Sequence, residues 1–244
     1  MVRVANAMIR YSRFLGLENI GYFRVAQPSE PPRPQDLNLY VLHAIGRDAV
    51  GLAEKLRLHG HRYIVIQYCH LTSNTPTNEL IDMWRGAATV WSYLPSVADL
   101  VPPDAHHKFV FAPLGIDSAF LRNAPESPFS PRPDRHIGIV TSGYVSGPHS
   151  EAIEPAINAS SSVKLPHVHI GPRPTHLNDP NLSITHKLDV DDAGLAHIYR
   201  SAQFVSGLRH VEGFEMPVIE GLACGARPIV FDRPDMRQWY GPHA

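Results

Sequence analysis

The stretch from Val205 to Val230, VSGLRHVEGFEMPVIEGLACGARPIV, decides how the rest of the chain is read. It opens on an apolar strand, passes through a short loop into a helix, and ends in a second apolar strand. Glu212 and Glu220 stand on either side of the loop-to-helix junction. At such a junction the unsatisfied backbone N–H groups and the positive end of the helix dipole favour an anion such as a diphosphate. A carboxylate just before the helix and another one turn inside it are placed to bind hydroxyl groups on either side of that anion. The arrangement suits a nucleotide sugar, in which a ribose and a hexose flank two phosphates. Helix capping accounts for Glu212 or Glu220 taken singly, but not for the whole string.

The remaining composition narrows the class. A chain of 244 residues that is 43% hydrophobic has room for one large domain or two small ones. A net charge of −1 offers no electrostatic footprint for nucleic acid or an acidic membrane. Cys69 and Cys224 are the only cysteines, too few for a disulfide framework, and each lies in an apolar segment, so buried free thiols are expected. No apolar run approaches the ~20 residues of a membrane span and the N-terminus lacks a signal-peptide pattern, so a cytoplasmic location is expected. The 15 histidines do not have metal-site spacing. His59 and His61 flank a glycine, His106 and His107 open a strand, and His167 and His169 alternate along another; surface or loop positions are expected for them, and no metal.

Two proline-rich stretches punctuate the chain, Gln27 to Asp36 and Pro125 to Asp134. The second holds neither a helix nor a central strand and reads as a stiff linker. It divides the chain into domains 1–124 and 135–244, with 125–134 between them. In the first, strands are expected at 19–26, 37–44, 63–69, 88–93 and 108–112, with helices at 47–59, closing at Gly60, and at 77–85. In the second, strands are expected at 136–141, 164–170, 182–187, 203–206 and 227–231. Helices there are expected at 150–159, kinked by Pro155, at 191–201, capped by Asp191 or Asp192, and at 217–224. Strands alternating with helices imply parallel sheets with right-handed crossovers. Two such α/β domains put a ligand cleft at the carboxyl ends of their strands.

Glu-Gly-Phe-Glu-Met-Pro-Val-Ile-Glu followed by Gly-Leu-Ala-Cys-Gly-Ala-Arg-Pro-Ile-Val resembles the signature of retaining glycosyltransferases of the GT-B fold, the "group 1" family. The usual form there is E-G-F-G-x-P-x-x-E, then A-C-G-x-P-V-V. The resemblance implies two Rossmann-like α/β domains, with the C-terminal one binding a nucleotide diphosphate sugar as donor substrate. It implies neither a cofactor nor a metal, because this fold uses a helix end and basic side chains in their place. Against that pattern Val4 to Leu15 corresponds to the first helix, so the N-terminal domain is expected to lack its first strand. The chain also looks short after Met236 to Gly241, which leaves room for a partner chain or a homo-oligomer to complete the fold.

Carried onto this chain, Glu212 corresponds to the acid that contacts the donor sugar and Glu220 to the acid that binds the ribose hydroxyls. Gly213 and Phe214 would offer backbone N–H groups. Glu215 departs from the family's glycine; a carboxylate beside a diphosphate is repelled unless it turns to solvent or meets a cation. A second departure lies in Thr141 to His149, which holds no arginine or lysine where the family clamps the diphosphate. Gly143 and Gly147 keep a loop that can approach phosphate, with Ser142 and Ser146 as hydroxyl donors. Arg209 is a candidate for the missing cation, or else an ordinary surface residue. His70 ends the apolar run Ile64 to Cys69; a polar residue there faces the cleft in this architecture, and related transferases often have a histidine near the donor sugar. A strand-end histidine bonded to a loop is the alternative for His70, and His43 is a weaker candidate of the same kind. Pro113 to Asp117 resembles the family's P-N-G-V-D segment before the hinge.

Two functions follow. One is a hexosyltransferase-like enzyme that moves a sugar from a nucleotide sugar to an acceptor the sequence does not name, with retention of configuration. The other is a degenerate GT-B domain that binds a nucleotide or a partner without catalysis. A nucleotide-sugar epimerase of the same fold needs further acid/base groups that the sequence does not place. No Ser-His-Asp, P-loop or dinucleotide fingerprint appears.

Overall fold

A computed structural model describes residues 40–44, 47–67, 76–111, 115–117, 120, 135–143, 152–171, 184–210 and 215–243. Within them the chain builds two parallel sheets. The first contains β1 (Tyr40–Ala44), β2 (Tyr63–Gln67), β3 (Thr89–Ser92) and β4 (Phe109–Phe111), in the order β1-β2-β3-β4. Helix α1 (Arg47–Leu58) joins β1 to β2, and α2 (Asn78–Gly86) lies between β2 and β3. The Thr77 side chain caps α2 by accepting from the Leu80 amide at 3.3 Å, which satisfies one of the orphan donors of a helix start. Met83 and Trp84 of α2, with Ala53 and Leu56 of α1, pack on Val65 and Val90 to form the first core. Burial of β2 on both faces fits its unbroken apolar run.

The second sheet is larger, with β5 (Ile137–Ser142), β6 (His167–Ile170), β7 (Ile184–Lys187), β8 (Ala202–Gly207) and β9 (Arg227–Val230). Their spatial order is β7-β6-β5-β8-β9, all parallel. Helix α3 (Ile153–Ser162) covers one face through Ala156, packed with Ile139 and Leu208, and through Ile153 and Ile157, packed with Ile184. The opposite face carries α4 (Asp192–Arg200), whose Leu195, Ile198 and Tyr199 pack with Val140, Val168 and Val205. Asp191 is the residue that caps α4, accepting from the Gly194 amide at 2.8 Å. Helix α5 (Met216–Ala223) joins β8 to β9, and α6 (Pro234–Tyr240) follows β9.

Three local expectations are corrected. Pro155 does not kink α3, because it is the third residue of the helix and first-turn amides have no intrahelical acceptor to lose. His106 and His107 lie in a 3-10 turn, Pro103–Lys108, that leads into β4 rather than in the strand. His167 and His169 are neither surface nor loop residues: they sit within β6 at 2% and 0% exposure. The expected strand 19–26 and the proline-rich segment 125–134 lie outside the described residues.

The two sheets share side chains across the chain. Phe120, and Ile116 beside it, pack in the core of the second sheet, although they precede the proline-rich segment. In return, Met216 and Ile219 of α5 and Trp239 of α6 pack against the core of the first. The Trp239 ring stacks on Phe111 of β4, with centroids 5.8 Å apart.

Candidate functional site

In the second sheet the chain runs outward from β5 through β6 to β7, then returns to place β8 on the other side of β5. The carboxyl ends of β5 and β8 therefore bound the topological switch point, where α/β sheets of this kind open a crevice for ligands. Ser142 and Gly143 stand at the end of β5, Arg209 just past the end of β8, and Glu215 at the start of α5.

Helix α5 is seated by close approach to β8. A Cβ on Gly221 would lie 2.6 Å from Val205 Cγ1, and one on Gly207 would lie 2.3 Å from Val218 Cγ2. Two glycines facing each other's neighbours thus let helix and strand draw together as larger residues would not. The far end is closed by a Schellman cap, in which the Gly225 amide donates to Leu222 O and the Ala226 amide to Gly221 O, both at 2.8 Å. Gly225 holds the positive φ of 83° that this cap requires. Tyr240 and Met236 of α6 cover α5 at Val218.

A buried ion pair stands at the helix start. Arg209 donates through Nη1 to Glu215 Oε2, and the two side chains are 4% and 1% exposed. The same guanidinium donates through Nη2 to Ser142 Oγ at 2.6 Å, tying the end of β8 to the end of β5. The Glu215 amide donates to the Tyr240 hydroxyl at 2.8 Å, and that hydroxyl donates to Glu215 O at 3.3 Å. Four segments thus meet around one pair of opposite charges. Of the two environments open to Glu215, solvent or a cation, the structure shows the cation; Arg209 is not a surface residue.

The remaining site residues divide into those the structure describes and those it does not. Glu220 is 2% exposed in the second turn of α5. Its charge reaches Cys224, whose thiol is pushed up to about 11, first by burial and with Glu220 adding to the rise. Cys224 is a free buried thiol, as expected, and at that value it is unreactive. The Gly143 amide donates to Ile170 O at 2.8 Å, so it closes the sheet rather than pointing at an anion. Glu212, Gly213, Phe214 and His70 lie outside the described residues, as do Gly147 and Cys69. Tyr240 was not legible as part of the site, since no motif links it to Glu215 and only the packing of α6 on α5 brings them together.

A second polar cluster lies under α3. Thr141 Oγ1 bridges His167 Nε2 at 2.7 Å and His169 Nδ1 at 2.9 Å. The His186 ring meets His169 edge-on at 5.4 Å. His167 is lowered to about 4, first by burial and then by the neighbouring His169 and His186. Among the described residues no group of three or more His, Cys, Asp or Glu side chains is arranged to hold a metal ion. No helix among them is long and apolar enough to cross a membrane.

Comparison with solved structures shows what the fold is similar to. HepE from Anabaena, solved in complex with UDP, superposes with a TM-score of 0.59 at 11% identity, over 82% of this chain and 61% of that one. Sucrose-phosphate synthase from Thermosynechococcus elongatus gives 0.60 at 14%, over 82% and 57%. The UDP-forming α,α-trehalose-phosphate synthase from Burkholderia xenovorans gives 0.56 at 10%, over 97% and 64%. The chain has the GT-B fold. It spans roughly six-tenths of the length of these GT-B proteins. No protein-family model and no curated protein sequence matches it.

Proposed function

We propose that this GT-B chain binds a nucleoside diphosphate sugar at the carboxyl ends of β5 and β8 and transfers the sugar to an acceptor with retention of configuration. The observation that carries this reading is the Glu212 to Glu220 sequence signature, whose later part, Glu215 to Glu220, opens α5 beside the switch point of the second sheet. The UDP bound to HepE supports a uridine nucleotide as the first donor to try. In this reading Glu220 holds the ribose, Glu212 and the Gly213–Phe214 amides hold the sugar and phosphates, and His70 approaches the sugar from the first domain. No protein nucleophile is needed. The leaving diphosphate accepts charge, and catalysis rests on positioning and on electrostatic stabilisation by the helix end. Residues 1–124 form the acceptor side and 135–244 the donor side, with 125–134 as the linker.

A second reading, nucleotide binding without transfer, draws on two observations. Arg209 is neutralised by Glu215, and the Gly143 amide is committed to Ile170 O, so neither supplies the family's phosphate clamp. Titration calorimetry with uridine, guanosine and adenosine diphosphate sugars, paired with a donor-hydrolysis assay, separates the two. Binding with turnover that is lost in Glu212→Ala, Glu220→Ala supports transfer. Binding without turnover supports the second reading, and turnover unchanged in the double variant removes the proposed site.

A further inference from the structure

We infer that Arg209 and Glu215 form a positioning pair that holds the first turn of α5 against the ends of β5 and β8, and that Arg209 is not a phosphate ligand. The inference rests on the proposed donor site only for its functional half. Arg209 emerges from a tight turn, its amide donating to Gly207 O at 2.9 Å, and its guanidinium spans Ser142 Oγ and the Glu215 carboxylate. Glu215 begins α5: its carbonyl accepts from the Val218 and Ile219 amides at 3.0 and 3.1 Å. The guanidinium fork therefore reaches β5 and the first turn of α5 at once, a geometry that the point charge of a lysine does not reproduce.

The charge balance decides what the pair does. Both side chains are more than nine-tenths buried, and their charges cancel. A diphosphate placed near the start of α5 meets no net positive charge from Arg209, because Glu215 already neutralises it. What the pair supplies is location. It fixes the residue that starts α5, and with it the direction of Glu220 one turn on. The glycine usual at the position of Glu215 makes no such bond, so the anchoring belongs to this chain's own substitution.

The test uses Arg209→Met with Glu215→Gln, which removes both charges with little change of volume and leaves no buried ion unpaired. Amide exchange is followed at Glu215, Val218 and Ile219, with β5 and β8 as internal controls, and uridine diphosphate binding is measured alongside the melting temperature. The expected result is exchange at least tenfold faster at those three amides, unchanged exchange in the strands, and affinity at least tenfold weaker with an unchanged melting temperature. Arg209→Lys is expected to restore only part of the affinity. Should the double variant not fold, Tyr240→Phe, which removes only the hydroxyl that meets the Glu215 amide, is expected to speed exchange at Glu215 and weaken binding in the same direction. Unchanged exchange at the first turn overturns the inference. So does tighter binding in Glu215→Gln, which would show Arg209 freed to act as a phosphate cation. A wild-type chain that binds no nucleoside diphosphate defeats the proposed function, and the exchange arm then decides the positioning role by itself.

Discussion

At the scale of the residue, polar groups around the second sheet are buried in two different ways. Arg209 and Glu215 meet each other as an ion pair that is almost wholly removed from solvent. Removing one partner strands a buried charge at about 3–5 kcal/mol, whereas removing both is often neutral, which is why the paired substitution is the informative one. His167 takes the other course and stays neutral, bonded through Thr141 to His169. Its folded value of about 4 lies below the ordinary 6.5. Above pH 6.5 neither state binds the proton and the histidine is neutral to stability. Between 6.5 and about 4 the unfolded chain takes up the proton and the folded one does not, so stability falls as pH is lowered. At ~1.36 kcal/mol per unit the full loss is about 3 kcal/mol. Urea titrations at pH 7 and pH 4.5 should show most of that loss in wild type and a smaller one in His167→Gln. Equal slopes in the two proteins would assign the acid sensitivity to other groups.

At the scale of the element, α5 is the part on which the site depends, and its seat on β8 is made of absences. Gly221 and Gly207 leave out the carbons that would collide with Val205 and Val218. Gly221→Ala puts a methyl 2.6 Å from Val205 Cγ1 and 2.8 Å from its Cβ, so helix or strand must shift. Overpacking of this kind costs ~1–3 kcal/mol. A chemical denaturation midpoint should fall accordingly and recover in part when Val205→Ala is added. No recovery would mean that the strain is not at this contact. At the proposed donor site, uridine diphosphate affinity is expected to fall together with stability, unlike in the paired Arg209 and Glu215 variant.

At the scale of the whole molecule, the two sheets are joined through the same helices that build the site. Met216 and Ile219 face the core of the first sheet from α5, and Trp239 does so from α6 while stacking on Phe111. A double-mutant cycle of Phe111→Ala and Trp239→Ala, read by urea unfolding, should give a coupling of about 1 kcal/mol, as for other aromatic pairs. Additive effects would show that the ring stack does not bind the sheets together.

Elements whose signals are local were legible in the sequence. The apolar run at β2, the aspartate cap of α4 and the alternation of strand with helix each depend on neighbours a few residues away, and the parallel α/β class followed from them. The candidate site was legible as a string, because Glu212 and Glu220 lie close together along the chain. What the tertiary structure decided was the company each polar residue keeps. Pro155 falls in the first turn only once the start of α3 is known, and His167 and His169 are buried only because α3 lies over their face of the sheet. Arg209 could be read as a surface residue or as a phosphate cation until Ser142, 67 positions away, and Glu215 were brought to it. Tyr240 entered the site through the packing of α6 on α5, which no local pattern encodes. A residue's secondary structure is set largely by its own stretch of chain, but its charge state and partners are set by what the fold places against it, and for this protein that is where the function is decided.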